Sequence, residues 1–330
     1  MSPRARPIVF LFSGQGSQYY GMGQPLRAEH PGFARRLEEL DRIASRDVGR
    51  SILDIVYDEA TPSGAAFDRL LYSHPAILMI ELALAGSLRD AGVEPDYVLG
   101  TSLGELAAAS VAGAVDEDVA LRAAIEQARL AEIHCPPGGM IAILHDSALA
   151  QEPVLAENCE VIGVSYDSHF VVAGTPSGLA NVLAFLAERA IPHHRLPVRY
   201  PFHTSLVDAA SAPYRGHLSR LELRKPTVPI ASCARGTIIH ELPQDYFWAV
   251  ARQPILFREA VAALEQTGSR PIYVDLSPAS SLAGFLGREL NSQSSSRILP
   301  LMSPFHRKTR ARFDQVVADC IAARRTSDLL

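Results

Sequence analysis

The stretch from Tyr97 to Gly113 restricts what this chain can fold into more than any other. Tyr97-Val98-Leu99 reads as a short strand. It breaks into Gly100-Thr101-Ser102-Leu103-Gly104-Glu105, and an alanine-rich helical pattern follows to about Gly113. Glycines flank the serine because a strand must turn sharply into a helix there, and a side chain at either position would clash with neighbouring backbone. The turn lifts the Ser102 hydroxyl out of the sheet, at a helix N-terminus whose main-chain N–H groups point toward it. Ser102 is therefore a candidate nucleophile. The plainer alternative is a tight turn that happens to hold a serine.

Around this turn, short apolar runs alternate with longer helical patterns, which predicts an α/β protein with a mainly parallel sheet. Ile8 to Phe12 reads as a buried strand ending in the loop Ser13-Gly14-Gln15-Gly16-Ser17-Gln18. Pro75 to Arg89 reads as a helix with proline in its first turn. Asp116 is placed to cap a helix running to about Glu132. Between 138 and 198 the rhythm changes: strand Gly139 to Leu144, helix Ser147 to Leu155, strands Glu160 to Val164 and Phe170 to Ala173, helix Gly178 to Arg189, strand His193 to Val198. That β-α-β-β-α-β order is the ferredoxin-like pattern. Strands at Val228 to Cys233, Pro271 to Leu276 and Arg297 to Leu301 resume the first rhythm. The expectation is an α/β-hydrolase-like large subdomain, residues 1–132 and 199–330, with a ferredoxin-like small subdomain, 138–198, inserted. Asn291 to Ser296 reads as an exposed loop.

Composition removes several classes of function. With 31 Lys and Arg against 36 Asp and Glu, the net charge is −5, unlike the clustered basic excess of a nucleic-acid binder. The hydrophobic share of 48% excludes wholesale disorder. Four cysteines without paired spacing suit neither a zinc ribbon nor a disulfide framework. The first apolar run is one strand long, and no apolar stretch of about twenty residues is expected elsewhere. The expectation is a cytoplasmic, reduced protein without a membrane span.

A serine nucleophile needs a base. Of the eleven histidines, His203 stands out. It follows Tyr200-Pro201-Phe202 in a loop where the chain returns to the large subdomain, and that loop can bring an imidazole over Ser102. The alternative is an ordinary loop histidine.

Taken together, Gly14-Gln15-Gly16-Ser17-Gln18, the Ser102 elbow ending in Gly104-Glu105, and Phe202-His203 resemble the acyltransferases of fatty-acid and polyketide synthesis. These are the malonyl-CoA:acyl-carrier-protein transacylases and the acyltransferase domains of polyketide synthases. Ser73-His74-Pro75, Arg252-Gln253-Pro254 with Phe257, and Asp275-Leu276-Ser277-Pro278 match in order over almost the whole chain. The resemblance implies that Ser102 attacks an acyl thioester while His203 takes and returns its proton. It implies an oxyanion hole from the backbone N–H groups of Gln15 and Leu103. It also implies a main-chain carbonyl, at about Val250, that orients the histidine. Asp208, five residues past His203, is the weaker candidate for that role; a helix-start or surface role suits it better. No metal or redox cofactor is implied. Phosphopantetheine or CoA enters only as part of the thioester substrate, and the implied partner is an acyl carrier protein, met through exposed basic residues such as Arg195, Arg199, Arg307 and Lys308.

The departures from the family bear on substrate. Thr101 replaces the usual histidine before the nucleophile and changes the pocket wall. Phe202 sits in a motif closer to the malonyl type. Gln127 stands where malonyl-using members carry an arginine that pairs with the carboxylate. A guanidinium offers a charged bidentate fork and an amide does not. Arg129 is two residues away, about 200° around a helix, so it is no substitute. Ala120, Ala123, Ala124 and Ala131 share Gln127's side, a stripe that suits close packing or a pocket floor.

One reading is thus an acyl hydrolase working in trans, which takes a non-carboxylated acyl group from a carrier protein onto Ser102 and releases it to water. Free-standing family members with Gln for Arg resemble such proofreading hydrolases of polyketide synthases. The second reading is a transferase that moves malonyl or another acyl group between CoA or carrier protein and a carrier protein. A third is an inactive docking protein, against which the intact Ser102, His203 and Gln15 argue. A general α/β-hydrolase esterase would want its acid and then its histidine late in the chain.

Overall fold

A computed structural model describes residues 6–62, 64–290, 294–305 and 308–328. Strand β1 (Ile8–Phe12) is followed by helices α1 (Gln24–Glu29), α2 (Pro31–Val48), α3 (Ile52–Val56) and α4 (Leu70–Asp90). Then come β2 (Tyr97–Gly100), α5 (Gly104–Val111) and α6 (Glu117–His134). The next stretch holds β3 (Gly139–Ile143), α7 (Pro153–Asn158), β4 (Glu160–Tyr166), β5 (His169–Gly174), α8 (Pro176–Glu188) and β6 (His193–Arg195). The remainder is α9 (Ser211–Leu218), β7 (Ile230–Ser232), β8 (Thr237–Ile239), α10 (Tyr246–Arg252), α11 (Phe257–Glu265), β9 (Ile272–Asp275), α12 (Ser281–Glu289), β10 (Arg297–Pro300) and α13 (Thr309–Asp328).

Six strands form one sheet in the order β10-β9-β1-β2-β7-β8, parallel except for β8. A parallel sheet is covered on both faces, so its central strands are apolar throughout. β1 shows why: Ile8, Phe10 and Phe12 belong to the core shared with α2, α4, α5 and α6, while Val9 and Leu11 belong to a separate core shared with α11 and α12. The second sheet runs β4-β5-β3-β6, all antiparallel, and is backed by α7 and α8 through Leu155, Leu179, Val182 and Leu186. This is the ferredoxin-like arrangement expected from the sequence. The parallel sheet with the small antiparallel one gives the expected α/β fold.

Several local expectations change. Helix α4 begins at Leu70, so Pro75 lies inside it rather than in its first turn. The early start is supported from outside: the Glu132 carboxylate of α6 accepts the Leu71 N–H at 3.0 Å. This helix is also long and apolar enough to cross a membrane, contrary to the expectation of no such stretch; it lies buried against α2, α5 and α6 instead. Asp116 precedes α6 but makes no side-chain cap; it pairs with Arg224. The single helix expected over 147–155 is a 3-10 turn, Ser147–Gln151, and then α7. Pro153 disfavours helical backbone at Glu152 and splits the two. β8, unforeseen, pairs with β7 across a turn at Gly236, whose φ of 65° suits glycine. Asn291 to Gln293 and Arg307 lie outside the described residues. The four cysteines are free.

Candidate active site

The elbow takes the form expected from its glycines. A Cβ on Gly104 would overlap the Phe12 carbonyl of β1, and one on Gly100 would lie 2.5 Å from the Glu105 backbone. With both bare, β1, β2 and α5 approach closely, and Ser102 adopts left-handed backbone at φ 53°. Such a conformation costs on the order of 1–3 kcal/mol for a residue other than glycine and persists only where its surroundings enforce it.

His203 is brought to the elbow from the segment after the small sheet. Its own φ is 66°, and its N–H bonds to the Ala251 carbonyl at 2.9 Å. Nε2 lies 2.8 Å from Ser102 Oγ. Nδ1 lies 2.8 Å from the Gln253 carbonyl. A carbonyl can only accept, so Nδ1 carries the proton and Nε2 is left to accept from the serine hydroxyl. Burial lowers the imidazole pKa to about 4, although the Gln253 carbonyl pulls the other way. The ring is thus a neutral base at pH 7.

The orienting carbonyl was expected at Val250 and belongs to Gln253 instead. Gln253 precedes Pro254, which forces extended backbone there, with φ −83° and ψ 155°. Its carbonyl therefore leaves the α10 direction and turns to the imidazole. Val250 lines the cavity. Asp208 takes no part; it pairs with Arg252 at 2.8 Å on the surface.

Gln15 and Leu103 both border the cavity beside Ser102. The loop carrying Gln15 is pinned from below by Glu81, a fully buried carboxyl on the apolar helix α4. Glu81 Oε1 accepts the Ser13 N–H at 2.6 Å and the Ser13 hydroxyl at 3.0 Å. Burial raises the Glu81 pKa well above the ordinary carboxylate value. The sequence contained a signal for it: an acid amid the apolar run Ala76 to Ala85.

The cavity over Ser102 has a volume of about 240 Å³. Thr101, His74, Phe202 and Gln127 form part of its wall, as do Met140, Val171 and Leu196. The lining also includes Val164, Ile255, Phe257, Leu282 and Phe285, which sequence reasoning did not assign to the site. Among the described residues, no Lys or Arg lines this cavity. Gln127 is buried and donates from Nε2 to the Tyr214 hydroxyl at 3.2 Å. Ala120, Ala123, Ala124 and Ala131 are buried on the same helix. Arg129 turns away, to Glu126 and the Asp47 carbonyl. His74 is buried and, like His203, held neutral: desolvation brings it to about 4.

Residues 9–323 match the family described as the acyl transferase domain. The chain is 43% identical over 304 residues to the polyketide biosynthesis acyltransferase homolog BaeD of Bacillus velezensis, covering 92% of this chain and 94% of that protein. It is 40% identical over 305 residues to the homolog PksD of Bacillus subtilis, with the same coverage of 92% and 94%. Among solved structures, the acyltransferase domain from module 8 of the salinomycin polyketide synthase superposes with a TM-score of 0.85 at 27% identity, over 98% of this chain and 77% of that one. A serine elbow, a histidine held by a main-chain carbonyl and a family match from end to end lead to one conclusion: this chain belongs to the acyl transferase family and is an acyltransferase-family enzyme.

Proposed function

We propose that the protein takes an uncharged acyl group from a carrier-protein thioester of polyketide biosynthesis onto Ser102 and releases it to water. The observation that carries this reading is the acyl cavity, which presents Gln127 and no Lys or Arg among the described residues. A malonyl carboxylate would enter a partly dry, mostly apolar space without a cation, at a cost of several kcal/mol. An acetyl or longer neutral chain meets no such cost. The names of the two Bacillus relatives support the polyketide setting.

In this reading Ser102 Oγ attacks the thioester carbonyl carbon while His203 Nε2 accepts the hydroxyl proton. The tetrahedral oxyanion is met by the backbone N–H groups of Gln15 and Leu103. Collapse breaks the carbon–sulfur bond, and His203 returns its proton to the departing thiolate. Water then attacks the acyl-serine while His203 Nε2 takes its proton; the second collapse breaks the ester carbon–oxygen bond, His203 returns the proton to Ser102 Oγ, and the carboxylic acid leaves.

Incubation with acetyl-, butyryl- and malonyl-loaded carrier protein and the matching CoA esters, followed by intact-mass analysis, tests this. The expected result is a Ser102 adduct from the neutral acyl groups, formed at least about tenfold faster than from malonyl, and its decay to free acid. Preferential malonyl loading, or passage of the acyl group to a second carrier thiol rather than water, would favour the transferase reading instead.

A further inference from the structure

Glu105 lies three residues past Ser102, in the first turn of α5, and is 1% exposed. Its side chain reaches the end of β7. Oε2 accepts the Tyr246 hydroxyl at 2.6 Å, and Oε1 accepts the Ala234 N–H at 3.1 Å. The Ser232 hydroxyl sits 2.8 Å from the Tyr246 oxygen and 3.3 Å from Oε1. Tyr246 is fully buried and is the first residue of α10. That helix has seven residues, so it is about 10 Å long. Its far end and the residue just past it supply the two backbone contacts to His203: the Ala251 carbonyl to N–H and the Gln253 carbonyl to Nδ1. One carboxyl–phenol contact therefore joins the helix that follows the serine to the helix that holds the histidine.

Packing alone does not call for this arrangement. An apolar side chain would fill the same gap without taking a carboxyl out of water. We infer that Glu105 is a positioning residue, which through Tyr246 keeps the helix holding His203 in register with the Ser102 elbow. The inference rests on reading Ser102 and His203 as nucleophile and base. Its leverage comes from distance: a displacement of about 1 Å between reacting groups can cost roughly a hundredfold in rate.

The test compares wild type with Tyr246→Phe, Glu105→Ala, the double variant and Glu105→Gln, using an acetyl thioester. Tyr246→Phe and Glu105→Ala should each lower kcat roughly 10- to 100-fold, with KM changed less than about threefold, since the thioester-binding wall is untouched. The double variant should be no slower than the worse single one, because both cut the same link. Glu105→Gln should recover most of the rate: its amide can donate to the Tyr246 oxygen and accept from the Ala234 N–H. Tyr246→Phe that melts as wild type does and turns over at the wild-type kcat would overturn the inference. So would additive losses, or losses confined to KM. If Glu105→Ala fails to fold, Tyr246→Phe and Glu105→Gln still decide. Ser102→Ala separates the two levels: an acyl adduct on that variant refutes the nucleophile, whereas its absence alongside a fully active Tyr246→Phe refutes only the positioning role.

Discussion

Ser102 Oγ and His203 Nε2 stand 2.8 Å apart although 101 residues separate them, and both residues hold left-handed backbone. Two non-glycine residues in that region, in hydrogen-bond contact with each other, are an unusual concentration of backbone strain. The Gly100 and Gly104 contacts enforce it at the serine. At the histidine the Ala251 carbonyl holds the backbone N–H and the Gln253 carbonyl holds the ring. The geometry is therefore set before any substrate arrives.

Ser102→Ala should abolish the acyl-enzyme, and His203→Ala should be nearly as damaging, each losing on the order of 10⁶ in kcat by analogy with serine proteases. The double variant should be little worse than either single one. Asp208→Asn, which disturbs only a surface pair with Arg252, should stay within about twofold of wild type, since exposed pairs contribute little. Single-turnover loading checks all four. An essential Asp208 would contradict the assignment of the orienting role to the Gln253 carbonyl.

Gln127→Arg should shift loading toward malonyl. The new guanidinium would face the cavity beside Tyr214 and offer the bidentate partner that the amide lacks. The measurement is competition between equal acetyl and malonyl donors on wild type and variant. Wild type that already prefers malonyl would mean that another group holds the carboxylate.

The pH dependence follows from burial. His203 should remain a competent base as pH falls through the ordinary histidine value of 6.5, and the acid limb of kcat/KM should lie nearer its folded value of about 4. An acid limb centred at 6.5 or above would show that the ring is not desolvated in the working enzyme.

Stability has its own sign. Between pH 6.5 and 4 the unfolded chain binds protons at His203 and His74 that the folded chain refuses, so their contribution falls as pH drops through that window. Each is worth up to about 3 kcal/mol. Glu105 and Asp275, raised by burial to about 7 and about 6, act in the opposite direction. The informative quantity is therefore a difference: His74→Gln should lose less stability than wild type between pH 6.5 and 4.5 in denaturant melts. Equal losses would contradict the burial of a neutral His74.

Carrier-protein binding should weaken as salt rises through the physiological range, because screening shortens the reach of exposed charge. Arg195 is exposed and makes no ion pair among the described residues, whereas Arg199 is already paired with Asp68 at 2.8 Å. Arg195→Ala should therefore weaken binding more than Arg199→Ala, as titration calorimetry at two salt concentrations can read. Affinity independent of salt would argue against a charge-guided interface.

By itself the sequence determined the parts whose cause is local. The apolar run Ile8–Phe12, the two glycines around Ser102 and the β-α-β-β-α-β rhythm of the small sheet each follow from short-range rules of backbone sterics and periodicity. The Phe202-His203 pair could be singled out for the same reason, as a histidine in a proline-bounded loop. Tertiary structure decided what depends on residues far apart in the chain. The Leu71 N–H finds Glu132, so α4 starts earlier than Pro75 suggests. The carbonyl facing His203 is that of Gln253 rather than Val250, because main-chain groups carry no side-chain signature and only the path around Pro254 aims one of them. In the sequence Glu81 is an acid in a largely apolar helix and Glu105 the last letter of a motif; folding puts the first against the loop of Gln15 and the second against Tyr246 of α10. A hydrogen bond across a hundred residues is chosen by the folded frame, since nothing in the neighbouring residues records its partner.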